Sequence, residues 1–423
     1  MGFNLTVKVE ASKVSNMKHH SSTLMILAAI LFTMPSLALA IGGQAAPDTE
    51  TTVSGVPAVV VFEAVVDGYS HIRIPTLLTL EDGSLLAFAE GRAGGDHAKN
   101  DIILKRSTDR GITWGSIQIL DDQGGDSLND PMAVEIRRGP HRGRVVVFYM
   151  SFPEGCHTNC VKPGYGSDSS RNWMMTSDDR GATWTTPADI TEIARRPTSS
   201  FAGSPGVGIQ LVKGRHAGRL VIPYRQGPLS RVQIYMLFSD DGGAMWTRGE
   251  LVDDGTDGGG GDEVAIAELS DGTLILNARG HNGAPKSRKT ARSTDGGVTW
   301  TPLANDPSLP SPHCMASIIP FSIETAAGSQ SGLLYAGPWS PDRRALGSIS
   351  VSDAAGENWS GPIEVVPGGF AYSQLSMIGK GEVGLLFEGA GYAQIALLRL
   401  DLKDLLIRVE AELRPVETPP SGS

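Results

Sequence analysis

One octet, written five times, constrains the fold of this chain more than any other feature. Its copies run from Ser107 to Trp114, Ser177 to Trp184, Ser239 to Trp246, Ser293 to Trp300 and Ser352 to Trp359. Asp109, Asp179, Asp241 and Asp295 hold the third place of the first four copies; in the fifth, Ala354 stands there. An Asp side chain can bond the backbone of its own turn, and Gly accepts a left-handed conformation, so each octet reads as a hairpin turn. The closing Trp brings a large apolar face to bury between strands. These Asp residues are assigned to turns and none of them to catalysis.

A second pattern marches with the first. A Gly introduces a short apolar strand at Gly83, Gly143, Gly218, Gly272, Gly332 and Gly381, with spacings of 60, 75, 54, 60 and 49 residues. One octet follows each of the first five strands. Apolar runs rich in β-formers and bounded by turn residues read as buried strands. No long helical periodicity is read after residue 40. Six such units predict an all-β chain folded as a six-bladed β-propeller, four strands to a blade. The sixth unit lacks an octet, and the strand around Ala58 to Phe62 is expected to complete it from the other end of the chain. A sandwich would not need a turn repeated at this period, and an open solenoid would need polar caps. One domain, 41–412, is expected, with 413–423 as a disordered tail.

The 52 Gly residues suit many tight turns, and the net charge of −10 argues against a nucleic-acid partner. Residues 1–40 read as a signal peptide, with a possible true start at Met17. A basic opening, an apolar run from Leu24 to Phe32 and the small residues Ala38 and Ala40 fit that pattern. The run is too short to span a bilayer in the mature chain, so a secreted or periplasmic location is expected. Cys156 and Cys160 could close a small loop, which would leave Cys314 odd. No Cys/His spacing resembles a zinc site, and no metal or organic cofactor is expected.

Chemistry must be sought apart from the fold. Arg73 sits between Ile72 and Ile74 in a strand locked by Pro75, an unusual place for a charge. A buried Arg needs an anionic partner, and an internal salt bridge would by itself explain it. Together with the octets, however, Arg73-Ile74-Pro75 resembles the sialidases, exo-α-neuraminidases of the bacterial and animal type with Asp boxes. The resemblance covers roughly Phe62 to Leu402 and implies the same six-bladed propeller. The family usually places Phe or Tyr before this Arg, where Ile72 stands here, a departure in packing more than in charge.

The resemblance implies roles residue by residue. Arg73, Arg279 and Arg344 match the three Arg residues that hold the substrate carboxylate, with Arg343 as a competing assignment for the third. Planar guanidinium groups suit a carboxylate bidentately. Glu388 matches a Glu that steadies the first Arg; a surface Glu after a strand is the alternative. Asp96 matches the acid/base, which should need a raised pKa, and Asp101 is its nearest rival. Tyr372 matches the nucleophile and Glu263 its base, with Asp262 a decoy next door. A neutral phenol avoids the repulsion that a carboxylate would meet from the substrate's own carboxylate. Arg92 touches the substrate rim or makes an ordinary surface ion pair. Asp130 contacts the substrate's N-acyl or hydroxyl groups, or simply forms a turn before Pro131.

The expected partners are sialylated glycoproteins, glycolipids or oligosaccharides. The expected reaction is retaining hydrolysis of terminal α-linked sialic acid through a tyrosyl-linked intermediate. Two alternatives stand beside it: a hydrolase or transferase acting on a related nonulosonic acid, and a non-catalytic glycan-binding propeller.

Overall fold

A computed structural model describes residues 52–256, 259–281, 283–325 and 328–413. The expected signal peptide and residues 414–423 of the expected tail lie outside the described residues.

The chain is all-β, in a propeller arrangement of antiparallel sheets. Four blade-sized sheets stand separately. The first has five strands and is centred on Leu220–Gln226 and Gln233–Ser239. The next two have four strands each, running in order through Gly261–Glu268 to Ala304–Pro310 and through Ser317–Thr325 to Ile363–Gly369. The last, also four-stranded, joins Ser373–Gly379, Glu382–Glu388 and Gln394–Asp401 to Val59–Glu63. That final antiparallel pairing sets Phe62 against Ile395, so the two ends of the domain close one sheet as expected.

The strands from His71–Thr79 to Ala188–Asp189 behave differently, forming part of one nine-stranded sheet. The expected six separate blades are therefore corrected to four, beside one double-sized sheet. The physical reason is local. Asn100, at the start of Asn100–Ser107, pairs in parallel with Ser127, at the start of Ser127–Glu135, and their side chains bond at 2.9 Å.

The octets are the turns they were read as. Ser107 Oγ accepts the Gly111 N–H at 2.8 Å and donates to Asp109 Oδ1 at 2.7 Å. Asp109 in turn accepts the Thr113 N–H at 2.9 Å. Gly111 has φ 85°, and a Cβ there would come 2.2 Å from Leu397 Cδ2, so the position excludes a side chain on both grounds. In the fifth copy Asp353 takes over one place early. Its Oδ1 accepts the Glu357 N–H at 2.9 Å, and its Oδ2 accepts the Asn358 amide at 2.6 Å. The five closing Trp residues each pack against a different apolar cluster.

Two expectations fail. Gly332 does not introduce its strand but lies inside Gly328–Pro338, where a Cβ would come 2.2 Å from the Ser352 carbonyl oxygen. Its small size admits the neighbouring backbone. And a helix does follow the strands. Leu402–Leu413 buries Leu402, Leu405, Leu406 and Val409 in one stripe, a 3.6-residue period. Leu413, assigned above to the tail, is its last residue.

Candidate active site at one edge of the sheets

Antiparallel pairing places the start of each sheet's first strand opposite the end of its second. Arg73 faces Glu90, Gly261 faces Gly280 and Ser373 faces Phe387. First strands of neighbouring sheets also pack on one another, for example His71–Thr79 on Ser373–Gly379. Side chains at these strand ends therefore gather on one edge.

Three strands are bulged there. The register slips between Arg73 and Thr76, between Asn129 and Met132, and between Gly261 and Val264. Bulges re-aim side chains. Ile74 and Asp130 carry φ of 61° and 55°, which β-branched Ile in particular rarely adopts. Glu388 stabilises the first of these by accepting the Ile74 N–H at 2.8 Å, and Glu90 the second by accepting the Asp130 N–H at 2.8 Å.

The result is a cavity of about 270 Å³. Eight of the nine residues singled out in the sequence line it: Arg73, Arg92, Asp96, Asp130, Glu263, Arg279, Arg344 and Tyr372. Glu388, the ninth, is fully buried behind Arg73 rather than on the surface. It receives Arg73 Nε at 2.7 Å, Arg73 Nη2 at 3.1 Å and the Tyr372 N–H at 3.1 Å. Burial opposes the charge of Arg73, but Glu388 outweighs it and holds the guanidinium ionised.

Tyr372 donates its phenol proton to Glu263 Oε1 in a short hydrogen bond. Arg279 Nη1 lies 2.8 Å from both Tyr372 Oη and Glu263 Oε2. The guanidiniums of Arg73 and Arg344 lie 5.3 Å and 5.2 Å from the Tyr372 ring centre. Burial and the Glu263 charge push the phenol pKa well up, while Arg279 and Arg344 pull the other way. Arg344 lines the cavity, whereas Arg343 is exposed and does not.

Asp96 stands at the cavity mouth with its side chain 67% exposed. It pairs with Arg92 in a short contact and with Arg73 at 3.5 Å. Burial raises its pKa, yet the Arg92 charge and hydrogen bond, with Arg73 behind them, bring it below the ordinary value. The raised pKa expected for this residue is thus corrected for the free site. Asp101 lies elsewhere, within the strand Asn100–Ser107, where it accepts the Tyr69 hydroxyl at 2.9 Å. Arg92 is buried and bound to Glu90 as well as Asp96.

Asp130 belongs to a bulged strand, not a turn. It meets Arg225 Nη2 at 2.9 Å. Burial pushes its carboxyl up to about 7; Arg225 opposes this, and Glu90 and Glu263 reinforce it.

Sequence reading missed Glu90 and Arg225. Arg225 is buried between carboxylates, 2.9 Å from Asp262 as well as from Asp130. Asp262, set aside as a decoy, also meets His281 Nδ1 at 3.0 Å. A signal for both was present. Glu90, Arg225, Arg279 and Glu388 each stand seven places after a strand-opening Gly (83 to 90, 218 to 225, 272 to 279, 381 to 388). Tyr392 was also missed; it lies 4.0 Å under the Arg73 guanidinium and accepts from Arg344 Nη1 at 3.3 Å. Among the described residues, no three His, Cys, Asp or Glu side chains converge as a metal site would require.

Fold and cavity together define a β-propeller protein with an Arg-rich pocket beside a phenol–carboxylate pair. Residues 83–385 match the BNR repeat-like domain, and the chain belongs to that family. It is 35% identical to a sialidase of Micromonospora viridifaciens over 362 residues, which cover 78% of this chain and 52% of that protein. It is 28% identical to a sialidase of Bacteroides fragilis, over 80% of this chain and 64% of that one. The chain thus spans about half to two thirds of the length of these curated relatives. A solved Hadza microbial sialidase, Hz136, matches with a TM-score of 0.69 at 27% identity, over 81% of this chain and 68% of the other. The intramolecular trans-sialidase of Ruminococcus gnavus, solved with oseltamivir carboxylate, shares the fold with a TM-score of 0.72 at 21% identity, covering 84% and 99%. The resemblance to sialidases read from the sequence is borne out.

Proposed function

We propose that the protein is a retaining exo-α-sialidase that removes terminal α-linked sialic acid from glycoproteins, glycolipids or oligosaccharides. One observation carries this reading: Tyr372 bonded to Glu263 in a cavity also lined by Arg73, Arg279 and Arg344. A sugar acid with a carboxylate on its anomeric carbon fits that set. The three guanidiniums hold the carboxylate. Asp96, protonated, gives its proton to the leaving glycosidic oxygen as that bond breaks. Tyr372 Oη bonds to the anomeric carbon while its proton passes to Glu263. Asp96, now ionised, takes a proton from water, and the hydroxyl oxygen displaces Tyr372, which regains its proton from Glu263.

Two inversions leave the configuration unchanged. The test is hydrolysis of a fluorogenic sialoside, with the anomer formed first read by NMR. The α anomer is expected; the β anomer would remove the tyrosyl intermediate, and no cleavage of any sialoside would remove the activity.

We also infer six blades. The nine-stranded sheet contains two four-strand runs, His71–Thr79 to Gln118–Asp121 and Ser127–Glu135 to Ala188–Asp189, joined through the Asn100–Ser127 bridge. Export directed by residues 1–40, to a secreted or periplasmic location, rests on the sequence pattern alone.

A further inference from the structure

A second loop meets the one that carries Asp96, and that second loop is closed by a disulfide. Residues 93–99 include Gly94 and Gly95, and Asp96 and His97 are exposed. Inside this loop Ala93 N–H donates to the Lys99 carbonyl at 3.0 Å, and Ala98 N–H to the Gly95 carbonyl at 3.0 Å. Those bonds close the turn but do not set how far its tip leans over the cavity.

The tip touches a neighbour through His97, whose ring stacks on His157 with centroids 4.6 Å apart and planes at 13°. His157 lies within the ring closed by Cys156 and Cys160, which are bonded to each other. Its backbone is tied there. The His157 N–H donates to Cys160 Sγ at 3.0 Å, and its carbonyl accepts from Cys160 N–H at 3.0 Å and Val161 N–H at 3.2 Å. The His157 ring also lies 4.3 Å from that of Phe152, which is buried with Val161 and Phe201. Contacts thus run unbroken from a buried apolar cluster to the residue next to Asp96.

We propose that the Cys156–Cys160 loop braces the Asp96 loop, with His157 as a positioning residue that sets the reach of the Asp96 carboxyl toward the leaving oxygen. The inference rests on the reading of Asp96 as the acid. The groups that face His157 are His97, Arg92, Asp96 and Arg225. Burial, His97 and the two Arg cations outweigh Asp96 and bring His157 down to about 4, so a neutral ring receives the stack over most of the pH range.

The experiment compares two sialosides in one assay. A nitrophenyl aglycone departs with little help from an acid, whereas a sugar aglycone needs the proton. His157→Ala is expected to lower kcat/KM for the sugar aglycone about tenfold more than for the nitrophenyl one. His157→Phe, which keeps an aromatic face, should restore the ratio. Replacing both Cys156 and Cys160 by Ser should mimic His157→Ala; if that variant does not fold, thiol reduction of the native protein at unchanged circular dichroism serves instead, since Cys160 is exposed. Asp96→Ala is the control. If it shows no dependence on the leaving group, the acid assignment fails. If it does and His157→Ala does not, or His157→Phe restores nothing, the brace is overturned while the acid assignment stands.

Discussion

Glu388 reaches across 315 positions of chain to receive Arg73 Nε at 2.7 Å. The same carboxylate accepts the backbone N–H groups of Ile74 and Tyr372. One buried side chain thereby holds the Arg73 guanidinium, a strained bulge and the position of the phenol. Glu388→Ala would leave buried Arg73 with only the more distant, exposed Asp96 as a counter-charge. We expect it to destabilise the protein by about 3–5 kcal/mol and to raise KM for a sialoside. Chemical denaturation of the variant checks the first effect, and Glu388→Gln, which keeps the side-chain volume and an acceptor for one of the two N–H groups, should lose less.

Tyr372→Phe keeps the buried ring and removes the hydroxyl proposed to attack. Turnover of an aryl sialoside should fall by at least about a hundredfold, with the unfolding midpoint nearly unchanged. Full activity would end the nucleophile assignment.

The neighbours Arg343 and Arg344 should separate cleanly. Arg344→Ala removes a guanidinium that lines the cavity and bonds Tyr392. Loss of one charge-assisted contact to a carboxylate is expected to weaken sialic acid binding by about 1.5–3 kcal/mol. Arg343 is exposed outside the cavity, and Arg343→Ala should bind as the parent does. Calorimetric titration with free sialic acid measures both.

The pH profile should report Arg92. Its charge helps keep the Asp96 carboxyl below its ordinary value in the free site. Removing a cation beside a carboxylate raises the pKa, so more Asp96 is protonated at any given pH. Arg92→Gln should therefore move the alkaline limb of kcat/KM, which reads the free enzyme, to higher pH for a sugar aglycone. A limb that stays in place would show that another group sets it.

The turn octets should carry acid stability. The carboxyls of Asp109 and Asp179 are brought down to about 2: burial pushes Asp109 up, but its bonds to Thr113 and Ser107 outweigh that, and Asp179 is lowered chiefly by its bonds to Thr183. A depressed carboxyl contributes stability that is fully present above its unfolded value and is lost as pH falls through the folded one. The double variant Asp109→Ala, Asp179→Ala should have a lower Tm at pH 6. The gap from the parent should narrow as pH falls from about 4 toward 2. A gap independent of pH would assign the loss to something other than ionisation.

Much of this protein was legible in one dimension because its information is local and repeated. An octet closes its turn with its own Ser, Asp and Gly, so the turns could be read before any strand was paired. The ring-closing strand near Phe62 followed from counting units. The resemblance to sialidases pointed to Arg73, Asp96, Glu263, Arg279, Arg344 and Tyr372, and all six meet in one cavity. Tertiary structure decided what spacing cannot carry. Spacing does not tell which of the neighbours Arg343 and Arg344 faces inward; in the fold Arg344 lines the cavity and Arg343 is exposed. The lowered pKa of Asp96 depends on the loop folding back onto Arg92 and on Arg73 arriving from another strand, and the burial of Arg225 depends on Asp130, Asp262 and Glu263 from other strands. Charge interactions act through distance in space, and here that distance is set only once the sheets have closed and the bulged strands have turned their side chains to a common edge.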